Sequence, residues 1–243
     1  MRNFLTAFRD VQRSSLAFAA ALPLVFAIPL VAEFVQHVIE MQIGMYDGVE
    51  GAKAAENDPA RMWFGFAKVA ALNVVGYFVI RWLHSGGDRA FAVALPRKAV
   101  TLFGLVLALS LFLAWLSLFV WTDGYMGIGF FVFSLIFMPL VVRFVVAAPL
   151  GILVTPVESI KVMAGDAVFA IVFSIAVILP LMAIHYALGI GAIFIDGDGL
   201  KWALLIVDSF VTALLGIVMV AAQYAIATRP APIEGAAAGT SAS

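Results

Sequence analysis

The chain has 243 residues, of which 64% are hydrophobic and only 12% are charged, and its mean hydropathy is +1.10. Soluble domains contain about 45–50% apolar and about 25% charged residues, so this composition excludes a water-soluble fold and predicts that lipid is the solvent. The net charge of −1 and the lack of a basic stripe with interleaved aromatic residues argue against a nucleic-acid partner. Because the chain has no cysteine, disulfides, thiolate metal sites and cysteine nucleophiles are excluded.

Six apolar stretches in chain order are each long enough to cross about 30 Å of hydrocarbon, which takes about 20 helical residues. Helices are predicted because backbone groups in lipid must be paired within their own segment. The stretches are Ser15–Gln36, Met62–Trp82, Ala99–Trp121, Tyr125–Val146, Ala167–Leu188 and Leu200–Ala227. The predicted fold class is therefore all-α, a polytopic membrane helix bundle with about six transmembrane helices. Asp123 and Gly124 predict a tight turn between the third and fourth helices.

The composition divides the chain into three predicted regions. Residues 1–14 alternate aromatic and aliphatic residues with arginines and predict an amphipathic segment at the membrane interface. Residues 15–228 form the six-helix transmembrane domain, and residues 229–243 have the Pro, Ala, Gly and Ser composition of a disordered tail. Within the domain, the connection between the fourth and fifth helices predicts a short interfacial helix that starts at Pro156.

Basic residues lie mainly on one side of the predicted spans. That side holds Arg2, Arg9, Arg13, Arg81, Arg89, Arg97, Lys98, Arg143, Lys161 and Arg229, whereas the other side holds Lys53, Arg61 and Lys201 among many acidic residues. Since loops rich in Lys and Arg stay in the cytoplasm, both termini are predicted to be cytoplasmic. The predicted location is a bacterial cytoplasmic (inner) membrane, crossed several times.

Five ionisable residues lie inside or at the end of the predicted helices, all in the half that faces away from the cytoplasm. They are Glu33, His37, Lys68, His185 and Asp208. Ionisable groups in lipid cost about 2.5–3.5 kcal/mol each on insertion scales, so each needs a partner, water or a function. A binding site in a polar outer cavity is one interpretation. Structural pairing is the favoured one, with Lys68 and Asp208 as a pair if their helices touch.

Glu33, His37 and Glu40 share one helix face because their spacing is i, i+4, i+7. A carboxylate–imidazole–carboxylate face is a partial shell for a divalent metal. One helix supplies only part of a shell, so the favoured interpretation is a solvated helix end, and no metal or other cofactor is predicted.

One motif resembles a known family. Arg143 begins the sequence Arg-Phe-Val-Val-Ala-Ala-Pro, and Val157–Asp166 follows before the next apolar span. This resembles the central signature of a group of bacterial six-helix membrane proteins. The group includes the YciC-like proteins and the membrane domain attached to some glycerophosphoryl diester phosphodiesterases. The resemblance implies six spans with cytoplasmic termini and implies no established activity. The position of Arg143 near a cytoplasmic helix end predicts contact with lipid headgroups.

The sequence favours a non-enzymatic membrane protein that interacts with membrane lipids or with other membrane proteins. The alternative is a small-solute transporter or channel with a polar cavity in the outer half. An enzyme is not expected, because the chain has no Gly-x-Ser-x-Gly and no His-Glu-x-x-His motif.

Overall fold

The computed structural model describes residues 3–121 and 124–233, and within these ranges all regular structure is helical. The α-helices of the described residues are α1 (Phe4–Ala21), α2 (Pro23–Gln42), α3 (Gly48–Ala55), α4 (Pro59–His84), α5 (Arg89–Val93), α6 (Arg97–Trp115), α7 (Gly124–Ala147), α8 (Pro156–Met163), α9 (Ala167–Phe194) and α10 (Asp198–Ala227). A π-helical turn, Leu116–Val120, extends α6, and short 3₁₀ turns, Ala148–Leu150 and Ala164–Asp166, flank α8.

Six helical segments among the described residues are long and apolar enough to cross a membrane, which confirms the predicted fold class. They are Pro23–Gln42, Pro59–His84, Arg97–Val120, Tyr125–Leu150, Pro156–Phe194 and Asp198–Ala227. Within the fifth segment, α9 starts at the predicted Ala167, and α10 ends at the predicted Ala227. Asp123, in the predicted turn between the third and fourth spans, lies outside the described residues.

The first predicted span differs from the structure because a proline interrupts it. The α1 helix (Phe4–Ala21) runs through Ser15, where the first span was predicted to start. It ends before Leu22, whose backbone is non-helical (φ −128°, ψ 61°). Pro23 then occupies the first turn of α2. A residue before proline is pushed out of the α region, whereas proline suits a first helical turn.

Residues 4–14 of the segment predicted to be amphipathic and interfacial form the first part of α1, and α1 packs against α9 and α10. The Phe4 ring meets the Phe173 ring edge to face, with centroids 5.3 Å apart. Val11 is buried in the main apolar core together with residues of α10, and Phe18 is fully buried against α4. Met1 and Arg2, and residues 234–243 of the predicted tail, lie outside the described residues.

The helix at the centre of the bundle is α10, which packs against α1, α2, α4, α7 and α9. It approaches α4 closely because Gly216 has no side chain, and a Cβ at this position would overlap the Leu72 side chain. Small residues commonly allow such close approach in membrane helices.

The two ends of the bundle differ in charge. The acidic end comprises α3, the C-termini of α2 and α9, and the N-termini of α4 and α10; the basic end comprises α5, α8 and the opposite helix termini. At the basic end, the buried Arg81 donates hydrogen bonds to the carbonyl oxygens of Phe91 and Pro149, which ties two connections to α4. Thr155 and Glu158 form a capping box at the start of α8, which begins at the predicted Pro156.

We expect the detergent-solubilised Gly216→Ala variant to melt at a lower temperature than a Gly104→Ala variant, because the added methyl group at position 216 forces Leu72 to move. Overpacking costs about 1–3 kcal/mol, against a gain in helix propensity of about 1 kcal/mol. Gly104→Ala in α6 is the matched control, since open space surrounds that position. Thermal unfolding followed by tryptophan fluorescence measures both variants. Equal melting temperatures for the two variants would contradict the close packing of α4 and α10.

Candidate functional site

The five ionisable residues predicted to lie in the outer half come together in one buried group near the acidic end. We call this group the polar cluster. Its members, from α2, α4, α9, α10 and the connection after α2, are Glu33, Gln36, His37, Glu40, Tyr46, Arg61, Lys68, His185, Asp208 and Thr212. Asp208 lies about 15 Å along α10 from the start of the helix at Asp198.

His37 lies at the centre of the polar cluster. Its Nδ1 atom is 2.9 Å from Glu40 Oε2, and its Nε2 atom is 3.1 Å from Asp208 Oδ2 and 3.5 Å from Glu33 Oε1. The interpretation of Glu33, His37 and Glu40 as a solvated helix end is wrong, because these residues are only 1%, 3% and 3% exposed. They are buried because α2 packs this face against α4 and α10.

Lys68 and Asp208 have different partners from the predicted ones. The Lys68 ammonium lies 2.9 Å from Glu33 Oε2, and Asp208 lies between His37 and His185. Helices α4 and α10 touch, but α2 packs against both of them. Glu33 of α2 pairs with Lys68 of α4, and His37 of α2 contacts Asp208 of α10. The pairing therefore follows from the position of α2.

Asp208 is fully buried and uses both carboxylate oxygens. His185 Nδ1 lies 2.8 Å from Oδ1 and 3.0 Å from Oδ2, and the Thr212 hydroxyl lies 3.1 Å from the same nitrogen. Because His185 is 23% exposed while Asp208 is not, His185 lies at the rim of the cluster. Asp208 thus links the imidazoles of α2 and α9.

Four members of the cluster were not predicted from the sequence, namely Gln36, Tyr46, Arg61 and Thr212. Gln36 and Arg61 both donate to Glu40 Oε1, at 2.9 and 3.2 Å. The Tyr46 hydroxyl donates to Glu40 Oε2 at 2.8 Å, and Lys201 holds the Tyr46 carbonyl oxygen at 2.7 Å. Gln36 could have been found, since it precedes Glu40 by one helical turn. Tyr46 lies in an irregular connection where no periodicity applies.

Tyr46 remains a hydrogen-bond donor because its environment disfavours the phenolate. Burial, and then the negative charge of Glu40, raise the pKa of Tyr46 well above its ordinary value. The Tyr46 hydroxyl donates its single proton to Glu40 Oε2. The nearby His37 Nδ1, 3.1 Å from the Tyr46 oxygen, therefore carries its own proton.

Arg143 has a different role from the predicted headgroup contact. It is only 9% exposed, and its guanidinium donates to the carbonyl oxygens of Ala227, Ala231 and Pro232 at 2.7, 2.7 and 3.2 Å. Ala227 is the last residue of α10, where the helix leaves carbonyl acceptors without intrahelical donors, and Ala231 and Pro232 lie in the segment after it. Arg143 therefore ties α7 to the C-terminus of α10, through contacts that residue spacing does not reveal.

A second feature is a cleft of about 990 Å³ at the basic end. We call it the basic-end cleft; α1, α4, α9, α10 and the segment after α10 line it. Phe169, Phe173 and Leu83 contribute apolar walls, while Arg13 and Arg229 contribute cationic groups. Arg229 is paired with Asp166 and stacked on Phe169, whereas Arg13 is exposed.

No family model, curated protein or solved structure matches this chain. Among the residues that the structure describes, the polar cluster and the basic-end cleft are the features on which a functional proposal rests.

We expect Lys68→Met to destabilise the protein, because it leaves the Glu33 carboxylate buried without its cation. Breaking a buried pair costs about 3–5 kcal/mol, and the 19% exposure of Lys68 favours the lower end of that range. The double variant Glu33→Gln, Lys68→Met should recover much of the loss in thermal stability. Lys53→Met is the matched control, since Lys53 and its partner Glu50 are both exposed. If Lys68→Met unfolds at the same temperature as Lys53→Met, the pair has no structural role.

Proposed function

We propose that this chain is a multi-pass protein of a bacterial cytoplasmic (inner) membrane, with both termini in the cytoplasm, and that it binds anionic phospholipid without catalysing a reaction. Six apolar helices support the membrane location. The concentration of Lys and Arg at the basic end supports the orientation. The resemblance of the Arg143 and Val157–Asp166 motifs to the YciC-like proteins is consistent with this proposal.

The single observation that carries the lipid proposal is the composition of the basic-end cleft. Its volume of about 990 Å³ lies at the upper end of the range for small-molecule sites, about 300–1,000 Å³. One part of its lining is aromatic and aliphatic, and Arg13 supplies an exposed cationic group that attracts a phosphate. Arg229 adds a second cationic group that is shared with Asp166, and Asp10 is the acidic residue of the lining. An amphiphile with an anionic headgroup and an acyl chain matches both parts.

The position of the cleft along the helices also fits a lipid. It lies beside the last two turns of α10 and the first two turns of α9, where these helices meet the basic end. In the proposed orientation this level is the cytoplasmic leaflet, which carries the anionic lipids of the membrane. Acyl chains would extend from the cleft along the apolar surface of α1 and α9.

The polar cluster favours a second candidate function, transport of a small solute. Ionisable groups inside membrane helices commonly mark ion or proton pathways. In this protein, however, His37 contacts both Glu40 and Asp208, and all three residues are buried inside the bundle. This arrangement supports a structural or ion-binding cluster more directly than a solute path.

We expect the purified protein to retain anionic phospholipid, and Arg13→Ala to weaken this binding about fivefold, since one basic residue near an anionic headgroup contributes about 1 kcal/mol. Native mass spectrometry in phosphatidylglycerol and phosphatidylcholine mixtures measures occupancy. Arg9→Ala is the matched control, because Arg9 is exposed on the same helix but does not line the cleft. Equal loss in both variants, or equal binding of both lipids, would contradict a specific headgroup site.

The orientation can be tested by labelling, because the chain has no cysteine of its own. Ala54→Cys in α3 and Leu95→Cys after α5 place thiols at opposite, exposed ends without changing any charge. A membrane-impermeant maleimide should label Ala54→Cys in cells with a permeabilised outer membrane. It should label Leu95→Cys only after the inner membrane is disrupted. The reverse pattern would overturn the proposed topology.

A further inference from the structure

We infer that Glu33, His37 and Asp208 form a binding site for a divalent transition-metal ion of the Zn²⁺ class. This site is independent of the proposed lipid binding. All three residues are buried, and one ligand atom from each lies within 4.8 Å of the others. Glu33 and His37 come from α2, and Asp208 comes from α10. The face of α2 alone offered an incomplete shell, and the fold supplies the missing ligand from a second helix.

The spacing of the ligand atoms fits a shared ion. Zinc binds nitrogen and oxygen at about 2.0–2.2 Å, so neighbouring ligand atoms around a tetrahedral ion lie about 3.3 Å apart. His37 Nε2 lies 3.1 Å from Asp208 Oδ2 and 3.5 Å from Glu33 Oε1. These two separations bracket the value for a tetrahedral shell. The Glu33 and Asp208 ligand atoms lie within 4.8 Å of each other, so the two carboxylates would draw together around the ion, and a water or one more side chain would complete the shell.

Each proposed ligand residue also contacts an outer partner through an atom that is not used for the metal. His37 uses its other nitrogen toward Glu40 Oε2 at 2.9 Å, and Asp208 uses its other oxygen toward His185 at 2.8 Å. The second oxygen of Glu33 lies 2.9 Å from Lys68. Metal centres characteristically have such outer partners, which fix the orientation of histidine and carboxylate ligands.

The hydrogen bonds around His37 indicate which of its two nitrogens faces the proposed cation. Tyr46 donates its proton to Glu40, so the His37 Nδ1 atom next to it must be protonated. In the neutral imidazole, Nε2 is then an acceptor facing two carboxylate oxygens. The carboxylates of Glu33 and Asp208 that converge on His37 favour a cation in this buried site, and Lys68 contacts only the second oxygen of Glu33.

The chemistry of the ligands selects the class of ion. One imidazole and two carboxylates suit Zn²⁺, Mn²⁺ or Fe²⁺, whereas Ca²⁺ and Mg²⁺ favour all-oxygen shells and Cu⁺ favours sulfur. Lys68 is the competing cation, since its ammonium already neutralises Glu33. Its 19% exposure gives the amine a route away from the site when a metal binds.

The experiment measures metal binding by the purified full chain after removal of any affinity tag. Wild type is stripped with chelator, loaded separately with Zn²⁺ and Mn²⁺, desalted and analysed by inductively coupled plasma mass spectrometry. We expect about one ion per chain, the count implied by a single three-ligand group. We also expect a melting temperature that rises with metal concentration, because the ion binds only the folded state.

Variants separate a metal site from a structural ion network. Asp208→Asn and His37→Gln should abolish the bound ion, and Glu40→Gln should weaken its affinity about 10–100-fold by releasing His37. Glu50→Gln removes an exposed carboxylate and should bind metal like wild type. Lys68→Met should bind more tightly, and the metal should restore the thermal stability that this variant loses.

The Lys68→Met variant keeps the inference testable if Asp208→Asn or His37→Gln fails to fold, because it leaves all three ligands in place. The inference is overturned if wild type binds neither ion. It is also overturned if Asp208→Asn and His37→Gln retain the ion at wild-type affinity, or if metal leaves the stability of Lys68→Met unchanged.

Discussion

The burial of charge inside an apolar bundle is the constraint on which the rest of the structure depends. His37 sits between Glu40 and Asp208, and removing either carboxylate would leave the other polar groups in a low-dielectric interior. Because the partners come from α2, α9 and α10, the contacts of His37, His185 and Asp208 favour the register in which these helices pack. Apolar packing alone would tolerate small shifts between helices, whereas hydrogen bonds about 3 Å long would not.

The fold was largely predictable because hydropathy directly reports which segments lipid can surround. The start of α9 and both ends of α10 could be bounded within a few residues, since apolar composition changes sharply at Ala167 and Ala227, whereas α9 continues past its predicted end at Leu188 to Phe194. The first helix was harder, because residues on both sides of Leu22 are apolar and hydropathy does not register a backbone break. The signal was Pro23, whose effect depends on whether it bends a continuing helix or starts a new one.

The ionisable residues that the polar cluster draws from the apolar helices were predictable, but their pairing and the other members of the cluster were not. Ionisable residues in apolar helices are conspicuous, so Glu33, Lys68 and Asp208 could be selected from the sequence. Their partners depend on which helices are neighbours, and spacing along one helix does not contain that information. Tyr46 joins the cluster from a connection, held there by Lys201 of α10. Such contacts between irregular and helical segments become visible only in three dimensions.

The break at Leu22 allows α1 and α2 to contribute residues to different features at opposite ends of the bundle. α2 holds three ionisable residues of the polar cluster toward the acidic end, and α1 lines the basic-end cleft. An unbroken helix would fix the faces of both segments by a single helical rotation. The break lets α1 bury Val11 and Phe18 independently of the face on which α2 carries His37. α10 contacts both segments, so it is the common support of the cluster and the cleft.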